Sequence, residues 1–257
     1  MILRRITEHV KAQNWTAVVL DFVIVVVGVF IGIQVSNWND ARGFAERERI
    51  LIQELREEVV HNAAMAHAVG EGLTVGEDAA RRILARIEQK ELTCTDDCWP
   101  IIADLMHASQ WQRILVIWTT YDELRREGLP RDRRIIEAVE TYKNMSHRAA
   151  VALETPPHYR ALVRSLMPIA WQDAYWEACF VQSGGMEEYR HPCAPPPGEL
   201  YIDPEQVAQI LAHPDIATTL REWTSIARVV GNTQTSAQQE AASQILAAID
   251  RREGMVP

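Results

Sequence analysis

The sequence of 257 residues lacks a surplus of positive charge. It contains 26 Lys and Arg against 35 Asp and Glu, which gives a formal net charge of −9. The first 40 residues are balanced, so the acidic surplus lies entirely in the rest of the chain. Because a surface of that sign repels phosphate groups, we expect no nucleic-acid partner.

Motifs that carry catalysis are also missing. The sequence has no Gly-x-Ser-x-Gly motif and no glycine-rich phosphate loop. Two carboxylate–histidine pairs, Glu58 with His61 and Asp104 with His107, each occur singly, whereas a di-iron bundle needs two such motifs and two further carboxylates. We interpret both pairs as solvated helix faces. The prediction is therefore no catalytic residue, no metal ligand, no cofactor and no enzymatic activity.

Long apolar runs are scarce, and only one could cross a membrane. Ala17 to Val35 contains one charge, Asp21, and one amide, Gln34. As a helix this run is about 28 Å long, close to the roughly 30 Å of hydrocarbon in a bilayer. The next longest run, Ile114–Trp118, is far too short to span. The sequence predicts a single-pass protein.

Polar and aromatic residues flank this run. Trp15 precedes it, and Asn37, Trp38 and Asn39 follow as a polar exit in which Trp38 suits the interface. A cleaved signal peptide is the alternative, but the apolar run is long for one and no small-x-small cleavage site follows. We predict a cytoplasmic segment at 1–15 and a transmembrane helix at 16–38.

Cysteine is rare and is absent from the first 93 residues. The four cysteines are Cys94, Cys98, Cys179 and Cys193. An even number at loop-closing separations indicates two disulfides in an oxidising compartment. Three connectivities are possible, and we favour Cys94–Cys98 with Cys179–Cys193. A structural zinc site that includes His191 is the alternative.

Orientation follows from the cysteines, because basic residues lie on both sides of the span and leave the charge rule undecided. We expect a bacterial inner-membrane protein with its N-terminus in the cytoplasm and its C-terminal domain in the periplasm.

Strand-like alternation is lacking as well. The predicted fold is all-α: the transmembrane helix continues into a juxtamembrane stalk at 39–73, and a periplasmic helical bundle occupies 74–257. Within the bundle we expect a helix from Thr74 to Glu91, others over 100–127 with a break near Ser109, 132–154, and 157–181 with a kink at Pro168. One long loop at 182–201 and helices from Asp203 to 252 complete it.

The stalk carries an alternating three- and four-residue apolar repeat. Its members, here called the seam, are Ile52, Leu55, Val59, Asn62, Ala66, Val69 and Leu73. Such spacing suits a coiled coil between chains, in which a buried Asn can set the register. Packing of an ordinary bundle helix against its own chain is the alternative.

Small residues and a carboxylate share one face of the span. Asp21, Val25, Gly28, Gly32, Val35 and Asn39 follow each other at helical spacing. The glycines permit close helix approach in lipid, and an intramembrane carboxylate usually faces protein or water. We take Asp21, Val25, Gly28 and Gly32, together with Gln34, as the candidate contact residues. Hydration of Asp21 near the interface is the alternative.

Four aromatic residues, Trp171, Tyr175, Trp176 and Phe180, also occur at helical spacing. We interpret them as core, with the wall of a ligand pocket as the alternative.

Two segments resemble a family of uncharacterised bacterial inner-membrane proteins. The first is Asp21 to Asp40, with an acidic start, a glycine-containing run and a Gln-x-x-Asn-Trp-Asn exit. The second is Thr119 to Gly128, a Thr-x-Tyr-x-x-Leu block followed by a glycine, with downstream Ile135-Ile136 and Tyr142. The resemblance implies location and architecture, and no activity.

These observations predict a non-enzymatic, membrane-anchored subunit that assembles or scaffolds an envelope complex. Its partners would be membrane lipid and either further copies of itself or another inner-membrane subunit. The alternative is a periplasmic sensory or ligand-binding module that signals through a partner.

Overall fold

The computed structural model describes residues 15–95, 97–183, 186–198 and 200–254. Within these ranges the chain is overwhelmingly helical and has one short antiparallel hairpin, so the predicted all-α class is confirmed. The predicted cytoplasmic segment lies outside the described residues, apart from Trp15.

The elements follow one another in this order: α1 (Trp15–Glu88), α2 (Trp99–His107), α3 (Thr119–Arg126), α4 (Arg133–Ala152), α5 (His158–Leu166), α6 (Ile169–Cys179), β1 (Phe180–Ser183), β2 (Met186–Tyr189), α7 (Pro204–Ala212), α8 (Pro214–Arg228), a π-helical turn (Val229–Gln234) and α9 (Thr235–Glu253).

The chain divides into two compact units, Met1–Gln53 and Glu54–Pro257. The first holds the described part of the predicted span, which is a continuous helix. Its most apolar window has a mean hydropathy of 2.7 and is 0% buried. By length and composition α1 can therefore cross a membrane, and it is the one helix among the described residues that meets these criteria.

Helix α1 does not end where the sequence suggested. The prediction of a separate helix beginning at Thr74 is wrong, because α1 continues without a break to Glu88. Gly70 lies inside this continuous helix and is a site of close helix contact: a Cβ there would lie 2.7 Å from Oγ1 of Thr235. Tight packing thus offsets the roughly 1 kcal/mol cost of glycine in a helix.

In the second unit, α4 packs along α9, α5 packs against α8, and α2 packs against α6. The break predicted near Ser109 is confirmed, since α2 ends at His107. The side chains of Ser109 and Gln110 both donate hydrogen bonds to the carbonyl of Met106, and this competes with helical continuation. A non-helical segment, 108–118, then leads to α3, so the helix predicted over these residues is wrong.

Other boundaries follow from local chemistry. Asp132 and Asp203 cap α4 and α7 by accepting hydrogen bonds from backbone N–H groups. Pro168 separates α5 from α6 completely instead of kinking one helix, since it lacks a backbone donor. The loop predicted at 182–201 is partly wrong, because Phe180–Ser183 pairs with Met186–Tyr189.

Candidate functional site

The contact residues proposed for the span lie on an exposed helix. Asp21, Val25, Gly28 and Gly32 are all exposed, and a Cβ added at either glycine would meet nothing within 4 Å. At 100° per residue these four positions fall within about 60° of arc. The described chain therefore leaves this face of α1 uncovered.

Gln34 does not share that face. It follows Gly28 by six positions, which places it about 120° around the helix from Gly28. The helix continues unbroken through both residues, so no local distortion brings Gln34 back. Grouping Gln34 with the glycine face was therefore wrong. It still lies near the end of the apolar run.

At the exit from the apolar run, an arginine covers the tryptophan. The guanidinium carbon of Arg42 lies 5.0 Å from the ring centroid of Trp38, in a cation–π contact. Asn37 and Asn39 are exposed on the same stretch of helix. An aromatic ring with a cation one turn away is the arrangement typical of a membrane–water interface.

The seam is covered by the chain itself. The members from Leu55 onward are all buried, with exposed fractions from 0% to 4%. Asn62 does not face another copy: its amide accepts a hydrogen bond from the N–H of Ile117 at 2.9 Å and donates to the carbonyl of Ile117 at 2.7 Å. These contacts favour an ordinary bundle helix over an interchain coiled coil.

Glu58 and His61 also play different parts from those expected. The carboxylate of Glu58 accepts hydrogen bonds from the N–H groups of Thr120 and Tyr121, at 2.9 and 3.4 Å, at the start of α3. His61 is exposed. Glu58 therefore satisfies helix N-terminal donors, and the interpretation of a purely solvated pair was wrong for it.

Both predicted disulfides are present. Cys94 bonds Cys98, and Cys179 bonds Cys193, with Cα–Cα distances of 5.3 Å in each. The favoured local connectivity is confirmed, and the alternative of a zinc site on free thiolates does not apply to this oxidised state. Cys179 is fully buried at the end of α6, whereas Cys193 is half-buried.

A histidine that the sequence analysis paired only with Asp104 lies against the second disulfide. His107, at the end of α2, is 0% exposed, and its Nε2 lies 3.9 Å from Sγ of Cys193. Its Nδ1 lies 2.8 Å from the hydroxyl of Tyr175. Interpreting Asp104 and His107 as a solvated face was wrong: both are buried, and Asp104 binds Arg82 through two hydrogen bonds.

The environment of His107 disfavours its charged form. Burial lowers the pKa of His107 to about 4. The charges of His191 and Arg82 also lower it, whereas a hydrogen bond to the backbone of Arg190 raises it. The His191 ring lies edge-on, with its centroid 5.5 Å away. His107 is thus a neutral imidazole at physiological pH.

Polar contacts extend this centre to a pair of arginines. The amide of Gln110 donates to the Tyr175 hydroxyl at 3.2 Å and accepts from Arg164 at 3.3 Å. The Arg164 guanidinium lies 5.2 Å from the ring centroid of Trp176. Burial, followed by the charge of Arg160, lowers the pKa of Arg164 to about 10, so it remains cationic.

The aromatic cluster is mainly core, as interpreted. Trp171 and Tyr175 are buried, and the indole N–H of Trp171 donates to the carbonyl of Tyr201. Trp176 stacks edge-on between Tyr175 and Phe180, with centroid distances of 5.4 and 5.1 Å. These rings pack around the disulfide-bonded end of α6.

No family model matches the chain, and neither a curated protein nor a solved structure matches it. The resemblance to the inner-membrane family therefore stays a prediction.

Proposed function

We propose that this protein is a non-enzymatic subunit of an envelope membrane complex, anchored in the bacterial inner membrane and carrying its folded domain in the periplasm. It would act in assembly or scaffolding, with lipid around its span and a second copy or another inner-membrane subunit as partner. The two disulfides support an oxidising compartment for residues 94–193.

The observation that carries the proposal is the uncovered face of α1 at Gly28 and Gly32. Glycines in a spanning helix expose backbone that packs closely against another helix. Among the described residues none lies within 4 Å of a Cβ added at either glycine, which leaves room for a partner helix. Asp21 lies on the same side. A carboxylate near the membrane interior is costly unless protein or water surrounds it.

The seam no longer supports the partner interface. Since its members from Leu55 to Leu73 are buried by the chain itself, they are unavailable to a second copy unless the bundle opens. The span is therefore the contact surface on which the proposal depends.

A matched pair of variants tests the span. In native membranes, Gly28→Ile with Gly32→Ile should lower the yield of cross-linked oligomer or co-purified subunit several-fold. Val23→Ile with Val26→Ile adds bulk on the opposite side of the helix and should leave the yield unchanged. Equal yields from both pairs would remove the span from the interface.

The carboxylate is tested separately. Asp21→Asn should change partner recovery from membranes more than Asp78→Asn, an exposed position in the second unit. If both variants recover partner equally, Asp21 is merely hydrated at the interface.

A sensory module remains the second candidate, because a cleft of about 330 Å³ lies in the second unit. Residues 151–152 and 154–158 and side chains of α8, including Trp223, line it. Its volume is at the lower end of the range for small-molecule sites. Co-purification of a small molecule, lost in Trp223→Ala, would favour this function.

A further inference from the structure

We propose that Cys179, Cys193 and His107 form a binding site for a thiophilic d10 metal ion, of which Zn²⁺ is the probe, once the Cys179–Cys193 disulfide is reduced. This inference goes beyond the proposed scaffolding function and is independent of the span. It assigns the second disulfide a chemical role in addition to cross-linking the fold.

The donor set has the right composition and spacing. The Sγ atoms of Cys179 and Cys193 and a ring nitrogen of His107 all lie within 4.8 Å of one another. Zinc bonds to sulfur at about 2.3 Å and to imidazole nitrogen at about 2.0 Å, so tetrahedral ligand atoms stand roughly 3.5 to 3.8 Å apart. The Nε2 of His107 already lies 3.9 Å from Sγ of Cys193. Reduction allows the two sulfurs, which are bonded in the disulfide, to separate to ligand spacing.

The surroundings hold the imidazole as metal sites do. A metal-bound histidine usually places its other ring nitrogen against a fixed polar partner, which sets the tautomer and the ring orientation. Here Nδ1 faces the Tyr175 hydroxyl at 2.8 Å, and Gln110 holds that hydroxyl in turn. His107 is fully buried, so its ring cannot swing out to solvent.

The exposed side of this site gives a route for the ion. The exposed His191 ring is edge-on to His107, two positions before Cys193. Cys193 is half-buried, which places an opening on that side of the site. Because soft thiolates prefer ions such as Zn²⁺ and Cu⁺, hard cations such as Mg²⁺ are not expected to bind.

The chemistry balances with a dithiol as reductant. Two electrons pass to the Cys179–Cys193 bond, two protons convert the sulfurs to thiols, and the dithiol closes to its own disulfide. Metal binding then displaces both thiol protons, and the zinc–sulfur bonds form. A small-molecule disulfide can take the two electrons back: it is reduced to two thiols, the Cys179–Cys193 bond re-forms and the ion is released. The site is therefore present in one redox state and absent in the other.

The test uses the full chain in detergent, with Cys94→Ser and Cys98→Ser to remove the other thiols. The protein is reduced with dithiothreitol, freed of reductant without oxygen, and titrated with Zn²⁺ against a chromogenic chelator. We expect one equivalent to bind to the reduced chain and none to bind tightly to the oxidised chain. Further replacement of Cys179 and Cys193 by Ser should abolish binding.

Two substitutions separate a built site from accidental thiol binding. His107→Gln and Tyr175→Phe should each weaken Zn²⁺ binding roughly tenfold or more, whereas His147→Gln, at an exposed position, should not. Circular dichroism reports the fold. Unchanged affinity in His107→Gln would overturn the proposal, and so would loss of helix on reduction that Zn²⁺ does not restore.

Discussion

At the scale of single residues, burial determines how His107 behaves. Its pKa falls from 6.5 in the unfolded chain to about 4 in the fold. Between these values the unfolded chain binds the proton more readily. The contribution of His107 to stability is therefore complete above about pH 6.5 and is lost as the pH falls toward 4.

The resulting prediction is a pH dependence specific to this residue. For the oxidised protein, the free energy of unfolding should fall by up to ~1.4 kcal/mol per pH unit in this window because of His107. Carboxylates also titrate in this pH range. The measurement is therefore the difference in the free energy of unfolding between wild type and His107→Gln, obtained from urea unfolding at pH 4 to 7. His147→Gln is the control, and a slope unaffected by His107→Gln would contradict the prediction.

Asn62 gives a second prediction at this scale. Asn62→Leu removes the amide that hydrogen-bonds both the N–H and the C=O of Ile117. Leaving these two backbone groups unsatisfied should lower the free energy of unfolding by about 1 to 3 kcal/mol. Asn144→Leu makes the same chemical change at an exposed position of α4. Chemical unfolding compares the two. An Asn62→Leu variant as stable as, or more stable than, wild type would mean that the seam tolerates an apolar residue there.

At the scale of elements, two glycines determine how closely α1 approaches the C-terminal helices. A Cβ at Gly231, in the π-helical turn, would lie 3.1 Å from Cβ of Leu73 and 3.4 Å from the carbonyl oxygen of Gly70. A methyl group at Gly231 would be closer to Leu73 than ordinary van der Waals contact, so a neighbour would have to shift by a few tenths of an ångström. A local π-helical turn at this contact is consistent with a helix that is deformed to fit its neighbour.

Gly231→Ala should therefore lower the free energy of unfolding by about 1 to 3 kcal/mol through overpacking. Gly43→Ala is the matched control, since a Cβ there meets nothing within 4 Å and alanine favours a helix more than glycine does. Thermal unfolding measures both variants. Equal stability of the two variants would show that the contact at Gly231 accommodates a methyl group without cost.

At the scale of the whole molecule, the orientation proposed for the chain has a direct test. A reporter that is active only in an oxidising compartment should be active when fused after Pro257 and inactive when fused before Met1. The unreduced protein should show no thiol reactive to alkylation, because all four cysteines are paired. Activity from the N-terminal fusion alone, or four reactive thiols, would reverse the assignment.

Much of the fold could be predicted because its signals are local. The helix starts at Asp132 and Asp203, the end of α2 near Ser109 and the apolar run from Ala17 to Val35 all depend on near neighbours in the chain. The hairpin at Phe180–Tyr189 was missed because each of its strands is only 4 residues long. The burial of His107 had a faint signal, its position at the end of the apolar stretch from Trp99 to Met106.

The sequence by itself determined which segment is apolar enough to span, that the chain is helical, and which cysteines are near enough to pair. These properties depend on composition and on short separations. Only the tertiary structure decided that the seam faces its own chain and that His107 lies against Cys193, a residue 86 positions away. Helical spacing shows which side chains share a face, but the partner of that face is set by contacts between segments far apart in sequence.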